Sequence, residues 1–171
     1  MAITKVLIVD DSPTERYYLT DILVKNGFSV STAESGEDAL LKIRADRPHL
    51  ILMDVVMPGS NGFQVTRAIS RDPEFENVPV IICSSKNQET DRIWGIRQGA
   101  KDYFVKPVDP AQLLARIAED EDAAQRVNQE DNEYPIDTLL GADIFGARGV
   151  MFPIARVLAE CDAKRRIVRD Y

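Results

Sequence analysis

Leu50-Ile51-Leu52-Met53 is an apolar run that stops at a single carboxylate, Asp54. Bounded on its other side by the break Arg47-Pro48, it reads as a short strand covered on both faces. A charge at the end of such a strand has to lie in a crevice, so this one stretch constrains fold and site together. Two further runs have the same form: Val6-Leu7-Ile8-Val9 leads into Asp10 and Asp11, and Pro79-Val80-Ile81-Ile82-Cys83 leads into Ser84 and Ser85. Apolar runs that end alike in polar groups point to one shared sheet edge.

Helical segments fill the gaps between these runs. Ser12-Pro13-Thr14-Glu15 combines an N-cap serine, a proline at the first helical position and a glutamate three residues after the cap. Tyr18, Leu19, Ile22 and Leu23 then fall on one face, and Asn26-Gly27 supplies a stop. Phe28 to Ala33 reads as a second strand, and Ser35-Gly36-Glu37-Asp38 opens a helix that turns Ala39, Leu40 and Ile43 inward. After Asp54 comes a dense turn cluster, Met57-Pro58-Gly59-Ser60-Asn61-Gly62, and then a helix using Phe63, Val65, Ala68 and Ile69. A helix from about Glu89 to Gln98, a strand Asp102-Tyr103-Phe104-Val105 ending at Lys106-Pro107, and a last helix from Asp109-Pro110-Ala111-Gln112 with Leu113, Leu114 and Ile117 inward complete the pattern. Five strands alternating with five helices predict an α/β fold, a doubly wound parallel sheet with helices on both faces. Ligands of such folds bind at the carboxyl ends of the strands, the edge that carries Asp10, Asp11, Asp54, Ser84 and Lys106.

At 171 residues the chain has room for one core domain and an appendage. The division expected is a domain over 1–122, an acidic linker over 123–133 and a partly helical extension over 134–171. Glu119-Asp120-Glu121-Asp122 reads as a fraying, solvated helix end, and Pro153 to Val168 as an amphipathic helix candidate. A net charge of -7 argues against nonspecific binding to nucleic acid or to anionic membranes. No apolar run approaches the ~20 residues that span a bilayer, and the expected location is the cytoplasm. Cys83 and Cys161 lack metal-ligand spacing and are expected to be reduced structural thiols. His49 is expected to be a surface turn residue with no partner, while Trp94 reads as a core filler or as a residue of the output side, its facing not fixed by the sequence.

Three carboxylates converging in one crevice repel one another unless a divalent cation neutralises them, and Mg2+ suits an all-oxygen site. With Asp54 as nucleophile, the metal and Lys106 would offset charge on a transferring phosphoryl group, while the Ser84 hydroxyl would bond one of its oxygens. The expectation is an aspartyl-phosphate switch.

Asp10-Asp11-Ser12, Leu52-Met53-Asp54 with Met57-Pro58 and Asn61-Gly62, and Gly99-Ala100-Lys101-Asp102-Tyr103 with Lys106-Pro107 resemble the receiver domain of two-component response regulators, over about residues 1–122. The resemblance implies a CheY-like, flavodoxin-like five-stranded fold. It also implies phosphorylation of Asp54 by a partner histidine kinase, Mg2+ held by Asp10, Asp11, Asp54 and the Val56 backbone carbonyl, and a cis bond before Pro107. Ser84 and Tyr103 match the pair that couples phosphorylation to the surface of the fourth helix, fifth strand and fifth helix, through which a downstream protein would be met. Ser12-Pro13-Thr14-Glu15, Val56-Met57-Pro58-Gly59, Asn61-Gly62-Phe63-Gln64 and Gln88-Glu89-Thr90-Asp91 through Trp94-Gly95 to Arg97-Gln98-Gly99 are similar to the single-domain regulators of type IV pilus twitching motility, the PilH type. Val56 and Lys86 occupy positions that in this family tune loss of the phosphoryl group.

Two other classes compete with a switch acting by protein contact. A transcriptional regulator would need the extension to read DNA, but that segment has no helix-turn-helix spacing and little net positive charge. An aspartyl-phosphate phosphatase would need a substrate cap or a separate acid-base residue after Asp54, and neither is visible. The chain is therefore expected to be a phosphoacceptor protein that catalyses only its own phosphorylation and dephosphorylation.

Overall fold

The computed structural model describes residues 2–130; the expectations for 134–171, including the helix candidate at 153–168, lie outside the described residues. Five strands form one parallel sheet in the order β2-β1-β3-β6-β7: β1 Lys5–Val9, β2 Ser29–Ala33, β3 Leu50–Met53, β6 Val80–Ser84 and β7 Asp102–Val105. Two short strands, β4 Val56–Met57 and β5 Ser60–Asn61, pair antiparallel as a hairpin after β3. The turn cluster thus folds on itself, with Gly59 at φ 71° accepting the left-handed backbone that the Pro58-Gly59 turn requires.

The helices are α1 Pro13–Lys25, α2 Gly36–Ala45, α3 Gly62–Arg71, α4 Glu89–Arg97 and α5 Pro110–Glu130. Strand alternation divides the apolar runs between two cores. Leu7, Val9, Ile51, Met53 and Val80 pack with Ala39 and Ile43 of α2 and Val65 and Ile69 of α3. Val6, Ile8, Leu50, Leu52, Ile81 and Cys83 pack with Leu19 and Leu23 of α1 and Leu113 and Ile117 of α5. Both faces are covered, which is why β3 carries no polar residue at all. Truncating one such side chain, Leu52 for instance, costs about 2–5 kcal/mol.

Caps set the helix starts. The Ser12 side chain accepts from the Glu15 N–H, Ser35 from Asp38, Asn61 from Phe63 and Asp109 from Gln112. The reciprocal half of the first capping box is absent, because the Ser12 N–H donates to Asp10 Oδ1 instead. Thr66, not Ala68, fills the inward position of α3, its hydroxyl donating to the Gly62 carbonyl. Tyr18 is half exposed and reaches the Val108 carbonyl at 2.9 Å.

The acidic segment of α5 does not fray. Glu121 accepts the Ile3 N–H at 2.8 Å, Asp120 accepts from Arg116 at 2.7 Å, and the helix continues to Glu130. His49 is also not free: its Nδ1 lies 3.1 Å from the Thr4 N–H that it accepts, fastening the α2–β3 loop to the start of β1.

Candidate phosphoryl-acceptor site

The chain reverses its direction of travel across the sheet between β1 and β3, and a crevice opens beyond their carboxyl ends. Val9 is registered against Met53, so Asp10 and Asp54 follow side by side. One carboxylate oxygen from each of Asp10, Asp11 and Asp54 lies within 4.8 Å of the others. Asp10 and Asp54 are buried and Asp11 is exposed, so the cluster opens to solvent on one side.

The buried carboxylates are held by local donors. Asp10 Oδ1 accepts from the Ser12 N–H at 2.8 Å, and Asp54 Oδ1 accepts from the Val55 N–H at 2.8 Å. The facing cation is Lys106, delivered by the end of β7, with its ammonium 2.5 Å from Asp10 Oδ2 and 3.6 Å from Asp54 Oδ1. Burial pushes the Asp54 carboxyl above its ordinary range; Lys106 opposes that push and Asp10 adds to it. Burial disfavours the Lys106 charge, but the bond to Asp10 and the charge of Asp54 outweigh it and hold the ammonium above its usual pKa. One ammonium against three carboxylates leaves net negative charge among oxygen donors only, a donor set that fits a hard divalent cation.

Ser84 is fully buried at the end of β6, where its carbonyl accepts the Lys106 N–H at 2.9 Å. Tyr103 is turned inward from β7, and its hydroxyl donates to the Lys86 carbonyl at 2.9 Å, joining β7 to the β6–α4 loop. The Lys106-Pro107 bond is cis. Val56 is 52% exposed on the hairpin beside the crevice. The structure therefore brings Asp10, Asp11, Asp54 and Lys106 together as expected, with Ser84 at the end of β6, Tyr103 on β7 and Val56 on the β4–β5 hairpin beside them. Cys83, one residue before Ser84, is buried in apolar surroundings that push its thiol up to about 12, so it is silent at this edge.

Sequence reasoning missed Arg16, whose Nη1 donates to the Asp10 carbonyl at 2.7 Å and whose Nη2 lies 2.9 Å from Glu34. The available signal was its spacing: Arg16, Leu19 and Leu23 share one helix face, which puts a cation on the buried side of α1. Of the two readings of Trp94, core filler and output side, the core one does not hold: Trp94 is 50% exposed, because the inward position of α4 is taken by Gly95.

The family model described as the response regulator receiver domain matches residues 6–118. The chain belongs to this family. Among curated relatives, the receiver domain is 54% identical over 113 residues to the protein PilH of Pseudomonas aeruginosa, a match covering 66% of this chain and 93% of that protein. It is 38% identical over 113 residues to the response regulator PleD of Caulobacter vibrioides, of which it spans only 25%. Among solved structures it is similar to the chemotaxis protein CheY4 of Vibrio cholerae, with 31% identity, a TM-score of 0.64, and coverage of 69% of this chain and 98% of that one. A chain of the CheX-CheY-BeF3-Mg2+ complex of Borrelia burgdorferi matches with 32% identity, a TM-score of 0.63, and coverage of 68% of this chain and 87% of that one.

A receiver domain is a phosphorylation-dependent signalling switch of a two-component system, and it takes its input from a histidine kinase. Among the described residues no helix is long and apolar enough to cross a membrane.

Proposed function

We propose that the chain is a motility-type response regulator in which Asp54 accepts the phosphoryl group and the bound Asp54–phosphate alters a protein-docking surface. The observation that carries this reading is the convergence of three carboxylates, with Lys106 3.6 Å from Asp54, at the switch point of the sheet. In the transfer, an ionised Asp54 oxygen attacks phosphorus in line with the phosphohistidine nitrogen. The P–O bond forms as the P–N bond breaks, and the imidazole leaves with the electron pair. Asp10, Asp11, Asp54 and the Val56 carbonyl would hold Mg2+, which supplies positive charge against the phosphoryl oxygens. Lys106 donates to one of those oxygens and the Ser84 hydroxyl to another.

The output reading rests on α4, β7 and α5. Ile93, Trp94 and Ile96 of α4 and Val105 of β7 are large apolar side chains left exposed by the fold. Tyr103 connects this side to the β6–α4 loop through its bond to Lys86. A downstream protein would dock here, and similarity to PilH favours control of type IV pili in the cytoplasm. The receiver occupies residues 1–122 on this reading, followed by a linker at 123–133, whose described part up to Glu130 continues α5, and an extension at 134–171.

Incubation with acetyl phosphate and Mg2+ is expected to add one phosphoryl group per chain, mapped by mass spectrometry to Asp54 and abolished by D54N. An adduct that persists in D54N, or none in the native chain, would overturn the assignment.

A further inference from the structure

Of the three clustered carboxylates, Asp11 is the one whose side chain makes no hydrogen bond to a described residue. Asp10 is held by Ser12 and Lys106, and Asp54 by Val55. Asp11 is therefore aimed by its backbone alone, and the peptide plane that carries it begins at the Asp10 carbonyl. That carbonyl is the oxygen bonded by Arg16 Nη1 at 2.7 Å. The other arm of the same guanidinium reaches Glu34 at 2.9 Å, immediately after the end of β2. On the opposite side of the residue, the Asp10 N–H donates to the Ala33 carbonyl at 3.0 Å. The Arg16 side chain is 13% exposed and Glu34 75%, so the fork spans from the crevice wall to the surface. A lysine has one nitrogen and cannot bond both loops in this planar geometry.

We propose that Arg16 is a positioning residue for the metal site: braced by Glu34, it fixes the Asp10–Asp11 peptide so that the Asp11 carboxylate stands ready to ligate a divalent cation. This rests on the reading of the cluster as an Mg2+ site. Its sign separates it from a charge effect. A cation near a metal site repels the metal, so removing the Arg16 charge would by itself tighten Mg2+ binding. Loss of positioning does the reverse, since partners that orient metal ligands are typically worth about 10–100-fold in affinity.

The test is calorimetric titration of Mg2+ into the full-length native chain and the R16M, R16K and E34Q variants, alongside urea unfolding and acetyl phosphate labelling over a range of Mg2+ concentrations. Mg2+ affinity is expected to fall about 10-fold in R16M and R16K, and by less in E34Q, which keeps the bond to Asp10. Labelling at saturating Mg2+ is expected to stay within about twofold of the native rate, because ligand positioning is restored by occupancy. R16K retains the charge and guards against a folding defect in R16M. Affinity that is unchanged or tighter in both variants, with native Mg2+ binding intact, would overturn the clamp and leave the metal reading standing. A native chain that takes up no Mg2+ would overturn both.

Discussion

The ammonium of Lys106 is bonded to Asp10, 2.5 Å from its Oδ2, so the cation facing the crevice shares an oxygen with the carboxylate cluster. A metal ligated by Asp10 competes for that oxygen, and a phosphoryl group competes for that ammonium. Lys106→Met is therefore expected to tighten Mg2+ binding severalfold while slowing labelling by acetyl phosphate about 100-fold, the usual cost of one lost charge-stabilising donor. Calorimetry and timed labelling measure the two effects separately. Unchanged Mg2+ affinity would show that lysine and metal do not share the Asp10 oxygen.

Asp54 has a folded-state pKa above its ordinary value of 3.8, raised first by burial and also by Asp10. A carboxyl raised in this way is favoured by folding while protonated, and its contribution is lost as pH climbs through the folded-state value. Without Mg2+, the native chain is expected to lose stability over the pH range just above 3.8 relative to D54N, and D54N to be more stable at neutral pH by on the order of 1 kcal/mol. Urea melts at several pH values, with chelator present, provide the measurement. Identical pH dependence in the two proteins would rule out Asp54 as the source.

The exposed Val56 side chain offers no hydrogen bond to a water approaching Asp54. Val56→Asn is expected to shorten the phosphoryl lifetime severalfold, followed by loss of the label after removal of acetyl phosphate. An equal lifetime would mean that water is oriented from elsewhere.

A Cβ at Gly95 would lie 2.8 Å from Ile82 Cδ1, 3.1 Å from Tyr103 Cδ2 and 3.3 Å from Phe63 Cε1. Gly95→Ala is expected to lift α4, with a cost of about 1–3 kcal/mol from overpacking and a change in Trp94 fluorescence. Native emission and native stability would show that α4 accommodates the methyl without moving.

Much of this molecule is legible in its chain because unbroken apolar runs leave few arrangements. Leu50 to Met53 has to be covered on both faces, and once β1, β3 and β6 are parallel neighbours, Asp10, Asp54 and Ser84 must share an edge. Residues whose role depends on a partner remote in sequence were harder to read. Arg16 looks like one more helix-surface cation until the Asp10 carbonyl is seen beside it. Glu121 looks solvated until the Ile3 N–H is found on its carboxylate, and His49 looks idle until β1 passes it. The facing of Trp94 stayed open because a bulky aromatic suggests a core position, whereas here the core admits only the glycine next to it.

The single buried residue of α4 is one without a side chain. A helix seated by a leucine must draw that side chain from its socket in order to shift; α4 has none to withdraw. Its resettling is then limited by loop motion, on the microsecond-to-millisecond range of such shifts. On the proposed reading, Gly95 bears on how promptly α4 can respond and Val56 on how long the phosphoryl group lasts, two positions on separate elements.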